Sequence, residues 1–344
     1  MSSNRVVVGV LMGGISSEHD VSMKSGSIML QNIDTERYVA FPIIISKENH
    51  WIWPCCHNNE VKKYSLEELQ KTERTPHKSW FRAIFPCFHQ FPQCDIMLNG
   101  LHGVGGEDGK IQGFLDLCNQ PYTGSGCLGS ALAMNKIKSK EIYQKSGIPT
   151  AAFTVISHLM KEGDRQELIA AMGLPLVLKD PFGGSSLGVS IAHSSSEVKQ
   201  GLDEIMKDSS VVLVEKFIKG REVSCGYLDN FQPLPLTEIV PLKDGFFNYE
   251  AKYDSSRTEE ITPGNFNGKI TRQIQSLSKK CHQALSLSIY SRTDFILTKD
   301  EIFVLETNNL PGFTMASILP QEAAVAGLGS RDLLTKISDE SLLK

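Results

Sequence analysis

RTDFILTKDEIFVLETNNLPG, residues 292–312, reads as two strands, 289–298 and 302–308, that meet at Lys299-Asp300-Glu301. With a three-residue loop there, Asp294 lies opposite Glu306 and Arg292 opposite Asn308. Side chains alternate along a strand, so all four then project from one face. A two-residue turn would instead put Asp294 and Glu306 on opposite faces. Two carboxylates and an amide carbonyl are hard oxygen donors that suit Mg²⁺, which is commonly completed by water and nucleotide phosphates. An arginine beside them suits negative charge that develops during a reaction. A solvated polar strand face carries the same pattern. The continuation into NNLPG, where Pro311-Gly312 turns backbone N–H groups toward the same end, favours a site.

Outward from this hairpin the pattern is that of an α/β chain. Upstream, VVLVEKF (211–217) is a buried strand, and 221–228 alternates with Val223, Cys225 and Tyr227 on one face, as in a half-buried antiparallel strand. A helix over 268–286 carries Ile270, Ile274, Leu277, Cys281 and Leu285 at helical spacing. Strands at 151–156, 174–179 and 188–192 alternate with helices at 165–172 and 195–207, the second opened by Ser194 and Glu197 as a capping box. At the N-terminus, strands 5–12, 41–46 and 94–100 and helices 19–33 and 108–119 predict a parallel sheet. One helix is expected over 128–146, ending at Gly147-Ile148-Pro149. Residues 50–92 mix Trp, Pro, Cys and His with little periodicity and are assigned no function.

The chain has 344 residues, 35 Lys+Arg against 39 Asp+Glu, and a formal net charge of −4. That balance gives no electrostatic reason for a nucleic-acid or anionic-membrane partner. No apolar run approaches the ~20 residues of a membrane span. Val6 to Met12 runs straight into GGISSEHD without a cleavage site and reads as a strand, not an export signal. The eight cysteines lack CxxC spacing and read as reduced cytosolic thiols.

Three further segments carry chemistry. KDPFGGSSLGVS (179–190) sets a lysine at a strand end before glycines and serines, a loop able to cover phosphates. It is not a P-loop, and an ordinary Gly/Ser turn has the same composition. HGVGGEDG (102–109) places His102 and a glycine turn before a helix. There Glu107 and Asp108 also fit a helix dipole, and His102 a core histidine. Gly13-Gly14 with Ser16, Ser17 and Glu18 opens the first helix, a place for an anion or short polar ligand, where Glu18 also fits a simple cap.

In this order the segments resemble the D-alanine–D-alanine ligases of the ATP-grasp superfamily. The matching stretches are GGISSEHDVS (13–22), HGVGGEDGKIQG (102–113), PYTGSGCLGSALAMNKIKSK (121–140), KDPFGGSSLGVS, VEKFIKGRE (214–222), YEAKY (249–253), RTDF (292–295) and ETNNLPGFTMASILP (306–320). They run collinearly over nearly the whole chain. The resemblance implies an ATP-grasp fold behind an N-terminal parallel-sheet domain: 1–122 for substrate, 123–210 as a small lid, 211–344 for metal and catalysis. It implies ATP-dependent joining of two D-alanines through a D-alanyl phosphate, for peptidoglycan precursors, in a cytoplasmic homodimer.

Residue by residue, the resemblance puts Lys136 and Lys179 on the nucleotide, Glu215 and the Phe217-Ile218 backbone at adenine, Glu222 on ribose and Lys252 at the γ-phosphate. Asp294, Glu306 and Asn308 match ligands of two Mg²⁺ ions, with Mn²⁺ an alternative. Glu18, Ser185 and Tyr253 match a hydrogen-bonded trio that orients the first D-alanine, and His102 lies near its carboxylate. Arg292 and the Gly312 N–H match an oxyanion site, and Ser317 the anchor of the second carboxylate. Relatives that make D-alanyl-D-lactate generally lack a tyrosine at the place of Tyr253, so the resemblance leans to a dipeptide. A D-alanine–D-lactate ligase, another carboxylate–amine ligase, and an inactive ATP-binding protein are the alternatives. Three positions depart from the family pattern: Asp180 before Pro181, Asn309 where Thr is usual, and Lys110 after EDG.

Overall fold

A computed structural model describes residues 5–54, 64–75, 80–83, 93–183, 188–241, 258–314 and 316–343. The first sheet has strand order β4-β3-β2-β1-β5, with β1 (Val6–Gly13), β2 (Tyr38–Ile45) and β5 (Ile96–Asn99) mutually parallel. β1 is covered on both faces, Val8, Val10 and Met12 entering one core and Leu11 another, which is why it reads as an unbroken apolar run. Helix α1 (His19–Asn32) follows it. Within 50–92, the region of weak periodicity, lie β3 (Trp51–Pro54), α2 (Leu66–Arg74) and β4 (Trp80–Ala83), with both strands antiparallel additions to the sheet. Ser65 caps α2 by accepting the Glu68 N–H.

The second sheet, β6-β9-β7-β8, comprises β6 (Phe153–Ser157), β7 (Leu176–Lys179), β8 (Val189–Ala192) and β9 (Val211–Lys216), all antiparallel. Val198, Leu202 and Ile205 of α7 (Ser195–Ile205) fill its core, and α6 (Glu162–Met172) contributes partly buried Leu168 and Ile169. The boundary expected at 210 therefore falls one strand early, since β9 pairs with β6 and β7.

The third sheet, β12-β11-β10-β13-β14, is antiparallel: β10 (Arg221–Leu228), β11 (Thr237–Pro241), β12 (Thr258–Ile261), β13 (Tyr290–Leu297) and β14 (Ile302–Asn308). β10 is not half-buried as expected. Val223 and Cys225 meet Ile274 and Cys281 of α8 (Gly268–Ala284), while Ser224 and Gly226 are buried on the opposite face. The single helix expected over 128–146 is two, α4 (Cys127–Met134) and α5 (Lys136–Lys145), broken at Asn135. Asn135 leaves the helical region at φ −85°, ψ 97°, and its side chain caps α5 by accepting the Lys138 N–H. Ala133 and Tyr143 join the third sheet's core, so this helical pair packs there and not on the lid sheet that 123–210 was expected to form. After α3 (Lys110–Leu117), α9 (Ile318–Val325) and α10 (Ser330–Leu342) complete the order, and Leu333, Leu334 and Ile337 return to the first core beside Val8 and Leu98.

The expected hairpin pairing is present, by a different route. Thr298 N–H donates to the Glu301 carbonyl at 2.9 Å, closing a two-residue loop. Phe295 to Leu297 accordingly pair with Val304 to Ile302. A bulge between Asp294 and Phe295 then shifts the register by one, so Asp294 faces Glu306 and Arg292 faces Asn308.

Candidate active site

A cavity of about 850 Å³ lies where the first and third sheets meet, and the hairpin face opens into it. Arg292 donates from Nε and Nη2 to the two Asp294 oxygens at 3.0 and 2.9 Å. Asp294 also accepts from Ser224 Oγ at 2.6 Å and Asn308 Nδ2 at 3.1 Å. Burial works against the Arg292 charge, but Asp294 overrides it and holds the guanidinium above its ordinary value. Glu306 reaches Lys136 Nζ at 3.2 Å, and the same Nζ donates to the Gly183 carbonyl at 2.7 Å. The helix break at Asn135 starts α5 at Lys136, whose N–H donates to the Pro181 carbonyl at 3.0 Å.

From the first sheet come Glu18 and His102. Glu18 is the N-cap residue of α1 but makes no side-chain cap bond. Its carboxylate turns to Gly103, where a Cβ would lie 2.7 Å from Oε2 and φ is +69°. Glycine is thus required for that approach. His102 Nε2 is 2.9 Å from Ser25 Oγ and Nδ1 is 3.5 Å from Glu107, so it is a bonded, buried histidine that also borders the cavity. Across the cavity, Ser317 Oγ accepts the Thr314 N–H at 3.1 Å, and a Cβ on Gly312 would come within 2.7 Å of that oxygen.

The nucleotide residues behave differently. Lys179 and Glu215, expected at separate ends of ATP, are paired at 2.5 Å. Lys140, which sequence reading missed, bonds the other Glu215 oxygen and donates to Thr150 Oγ1 at 2.6 Å. Burial raises the Glu215 carboxyl, but Lys179 and Lys140 together hold it below its usual range. Its side chain is committed to these lysines, and the Lys216 and Phe217 N–H groups donate to the Ala152 and Pro175 carbonyls. Phe217 and Ile218 are half-buried, and Glu222 is half-buried on β10. The one available clue to Lys140 was its place one helical turn after Lys136. Ser185, Lys252 and Tyr253 lie outside the described residues.

Among the departures, Asp180 turns onto its own loop, accepting the Phe182 N–H at 3.2 Å. Asn309 donates to the Glu107 carbonyl at 3.2 Å, tying the third sheet's loop to the HGVGGEDG turn. Lys110 is exposed and paired with Asp108 at 2.7 Å. Among the described residues, no three His, Cys, Asp or Glu side chains gather as a ready metal centre. Asp294, Glu306 and Asn308 fit Mg²⁺ as a partial oxygen set of the kind phosphates and water complete.

Comparison with known proteins agrees with this geometry. Residues 7–125 match the family described as D-ala D-ala ligase N-terminus, and 142–339 match D-ala D-ala ligase C-terminus. The D-alanine–D-alanine ligase of Desulfotalea psychrophila is 47% identical, with 99% of this chain and 97% of that protein covered. That of Leptospira biflexa is 35% identical over 98% and 99%. The D-alanine–D-alanine ligase structure from Bacillus anthracis complexed with ATP superposes with TM-score 0.74 at 30% identity over 98% of each chain. The VanG D-Ala:D-Ser ligase of Enterococcus faecalis does so with TM-score 0.86 at 26% identity, over 98% of this chain and 100% of that one. The fold is the ATP-grasp fold of carboxylate-activating ligases, preceded by an α/β domain. The chain belongs to the D-alanine–D-alanine ligase family.

Proposed function

We propose that this enzyme joins two D-alanines to D-alanyl-D-alanine at the expense of ATP, supplying peptidoglycan precursors. The observation that carries the reading is the meeting, around one cavity, of a carboxylate from the first sheet (Glu18), a phosphate-type lysine (Lys136) and the Arg292–Asp294–Glu306–Asn308 face.

A carboxylate is a poor acyl donor because oxide is a poor leaving group. In the first step an oxygen of the donor carboxylate attacks the γ-phosphorus, the bond to ADP breaks, and a D-alanyl phosphate forms. The acceptor's ammonium loses one proton to solvent to become the amine, whose nitrogen then attacks the acyl carbon; the tetrahedral centre collapses, phosphate leaves with the donor oxygen, and the nitrogen releases its second proton to solvent. Glu18 faces the donor's ammonium, with Ser185 and Tyr253 completing that contact and His102 near the donor's carboxylate. Lys136, Lys179 and Lys252 neutralise the phosphates, the backbone at Phe217-Ile218 borders adenine, and Glu222 takes the ribose. Arg292 and the Gly312 N–H receive the charge on the tetrahedral oxygen, and Ser317 anchors the acceptor's carboxylate. Asp294, Glu306 and Asn308 would hold Mg²⁺, which supplies charge neutralisation on the phosphates when bound.

The same reading places the enzyme in the cytoplasm as a homodimer. Among the described residues no helix is long and apolar enough to cross a membrane. Phosphate release with D-alanine alone, compared with D-alanine plus D-lactate at neutral pH, tests the substrate pair. Release with D-alanine alone and recovery of the dipeptide are expected. Release only with the mixture would make it a D-alanine–D-lactate ligase.

A further inference from the structure

One carboxylate on the cavity wall has no part in the scheme above. Glu260 sits on β12, where Thr258 and Glu260 face the cavity and Glu259 and Ile261 alternate away from the lining. Its register partner Ile239 packs on Ile318, the first residue of α9, so this strand edge is fixed against the start of that helix. Gln321, one turn into α9, donates from Nε2 to Glu260 Oε2 and to the Ala316 carbonyl, both at 3.0 Å. Both amide hydrogens are thereby used, and the Glu260 carboxylate is tied to the helix start at Ala316 on the wall of the cavity that Ser317 also lines.

Other carboxylates on the cavity wall have partners of their own. Glu306 is met by Lys136, Asp294 by Arg292, and Glu107 by His102 and the Gly103 N–H. The hydrogen-bond partner of Glu260 is a neutral amide, and Arg292, whose own hydrogen bonds go to Asp294, attracts it without bonding to it. Burial also pushes its carboxyl above the ordinary value. A half-buried carboxylate bordering a cavity, with a neutral partner, is a place for a cation.

We propose that Glu260 receives the ammonium group of the acceptor amino acid and so makes the acceptor subsite selective for an α-amino acid over an α-hydroxy acid. This deepens the ligase reading and rests on it. An α-amino acid carries its carboxylate and ammonium on one carbon. With the carboxylate anchored at Ser317, the ammonium lies in the same cavity that Glu260, held by Gln321, also lines. A hydroxy acid in the same pose leaves the carboxylate without its counter-charge.

The test compares wild type with Glu260→Gln and Glu260→Asp, using ATP, D-alanine and D-lactate. Glu260→Gln keeps the volume and a carbonyl for Gln321, so the wall stays built. Expected are an acceptor KM raised at least about tenfold, the loss of one charge-assisted contact, and KM values for ATP and donor within about twofold of wild type. The share of D-alanyl-D-lactate should rise in mixtures, and Glu260→Asp should restore part of the amine preference. An unchanged acceptor KM and product ratio would overturn the proposal, as would a parallel rise in all three KM values. A wild type that makes no dipeptide would overturn the ligase reading itself.

Discussion

Lys136 Nζ lies 3.2 Å from Glu306 Oε2 and also donates to the Gly183 carbonyl. A lysine of the kind that meets phosphate and a carboxylate of the kind that meets a metal are thus each other's partner. Arg292 with Asp294, and Lys179 with Glu215, repeat the arrangement. These charges of the site are paired with one another, and a nucleotide with its metal would exchange these partners for phosphate and cation. Lys136→Met should therefore raise KM for ATP about 10- to 100-fold, the loss of one charge-assisted contact. KM for D-alanine should stay near wild type in initial-rate measurements.

Glu306→Gln removes the charge without changing volume. It should lower kcat by about 10²-fold or more, the scale of losing an electrostatic group aimed at the reacting phosphate. Circular dichroism and Tm should stay close to wild type, because the side chain is only partly buried and its partner keeps the Gly183 carbonyl. Undiminished turnover in this variant would remove the hairpin face from the mechanism.

The buried Lys140–Glu215–Lys179 cluster makes a stability prediction. Lys140 is 1% exposed and Glu215 2%. Lys140→Met leaves the carboxylate with one lysine and should cost about 3–5 kcal/mol in denaturant unfolding, the usual penalty for breaking a buried pair.

The same cluster sets an acid limit. Burial alone would raise the Glu215 carboxyl, but Lys179 and Lys140 depress it to about 2. A folded pKa below the unfolded one contributes stability that is complete above the unfolded value near 4.5 and is lost as pH falls toward 2. Unfolding free energies between pH 5 and pH 2.5 should fall, and the Glu215→Gln variant, though less stable at pH 7, should show a shallower slope. Equal slopes would argue that other carboxylates carry the acid limb.

A histidine acts in the opposite sense. His19 Nδ1 is 2.6 Å from the Gly14 carbonyl and Nε2 is 3.1 Å from Glu73. Burial lowers its pKa, but Glu73 and the Gly14 carbonyl outweigh that and raise it above 6.5. Stability from this pair is complete below 6.5 and is lost as pH rises through the raised value. An NMR titration of His19 should move toward 6.5 in Glu73→Gln. The contact matters to the site because it holds the Gly14 loop that leads to Glu18.

Much of this was legible in the sequence, and the failures share a cause. The pairing of Asp294 with Glu306 followed from counting loop residues, yet the turn has two residues, and a bulge beyond it restores the pairing. Bulges carry no compositional mark in VLETN. The break at Asn135 was readable, since Asn followed by a helix-forming run is an N-cap signal, but apolar periodicity continued through it and masked the break. Lys140 and Glu215 were not readable as a pair, because buried ion pairs join residues distant in sequence. The strands Trp51–Pro54 and Trp80–Ala83 form by adding to an existing sheet, so their own pattern stays weak. β9 reads equally well for two sheets, and only its partners decide.

In the proposed reaction a D-alanine carboxylate is activated as an acyl phosphate before the peptide bond forms. This activation is tested most directly with D-alanine labelled with ¹⁸O in both carboxylate oxygens, incubated with ATP, Mg²⁺ and the enzyme. The phosphate released is then weighed by mass spectrometry. One ¹⁸O is expected in each phosphate, matched one for one by D-alanyl-D-alanine and ADP. Unlabelled phosphate would mean that water, not the donor carboxylate, takes the phosphoryl group, and would contradict that activation.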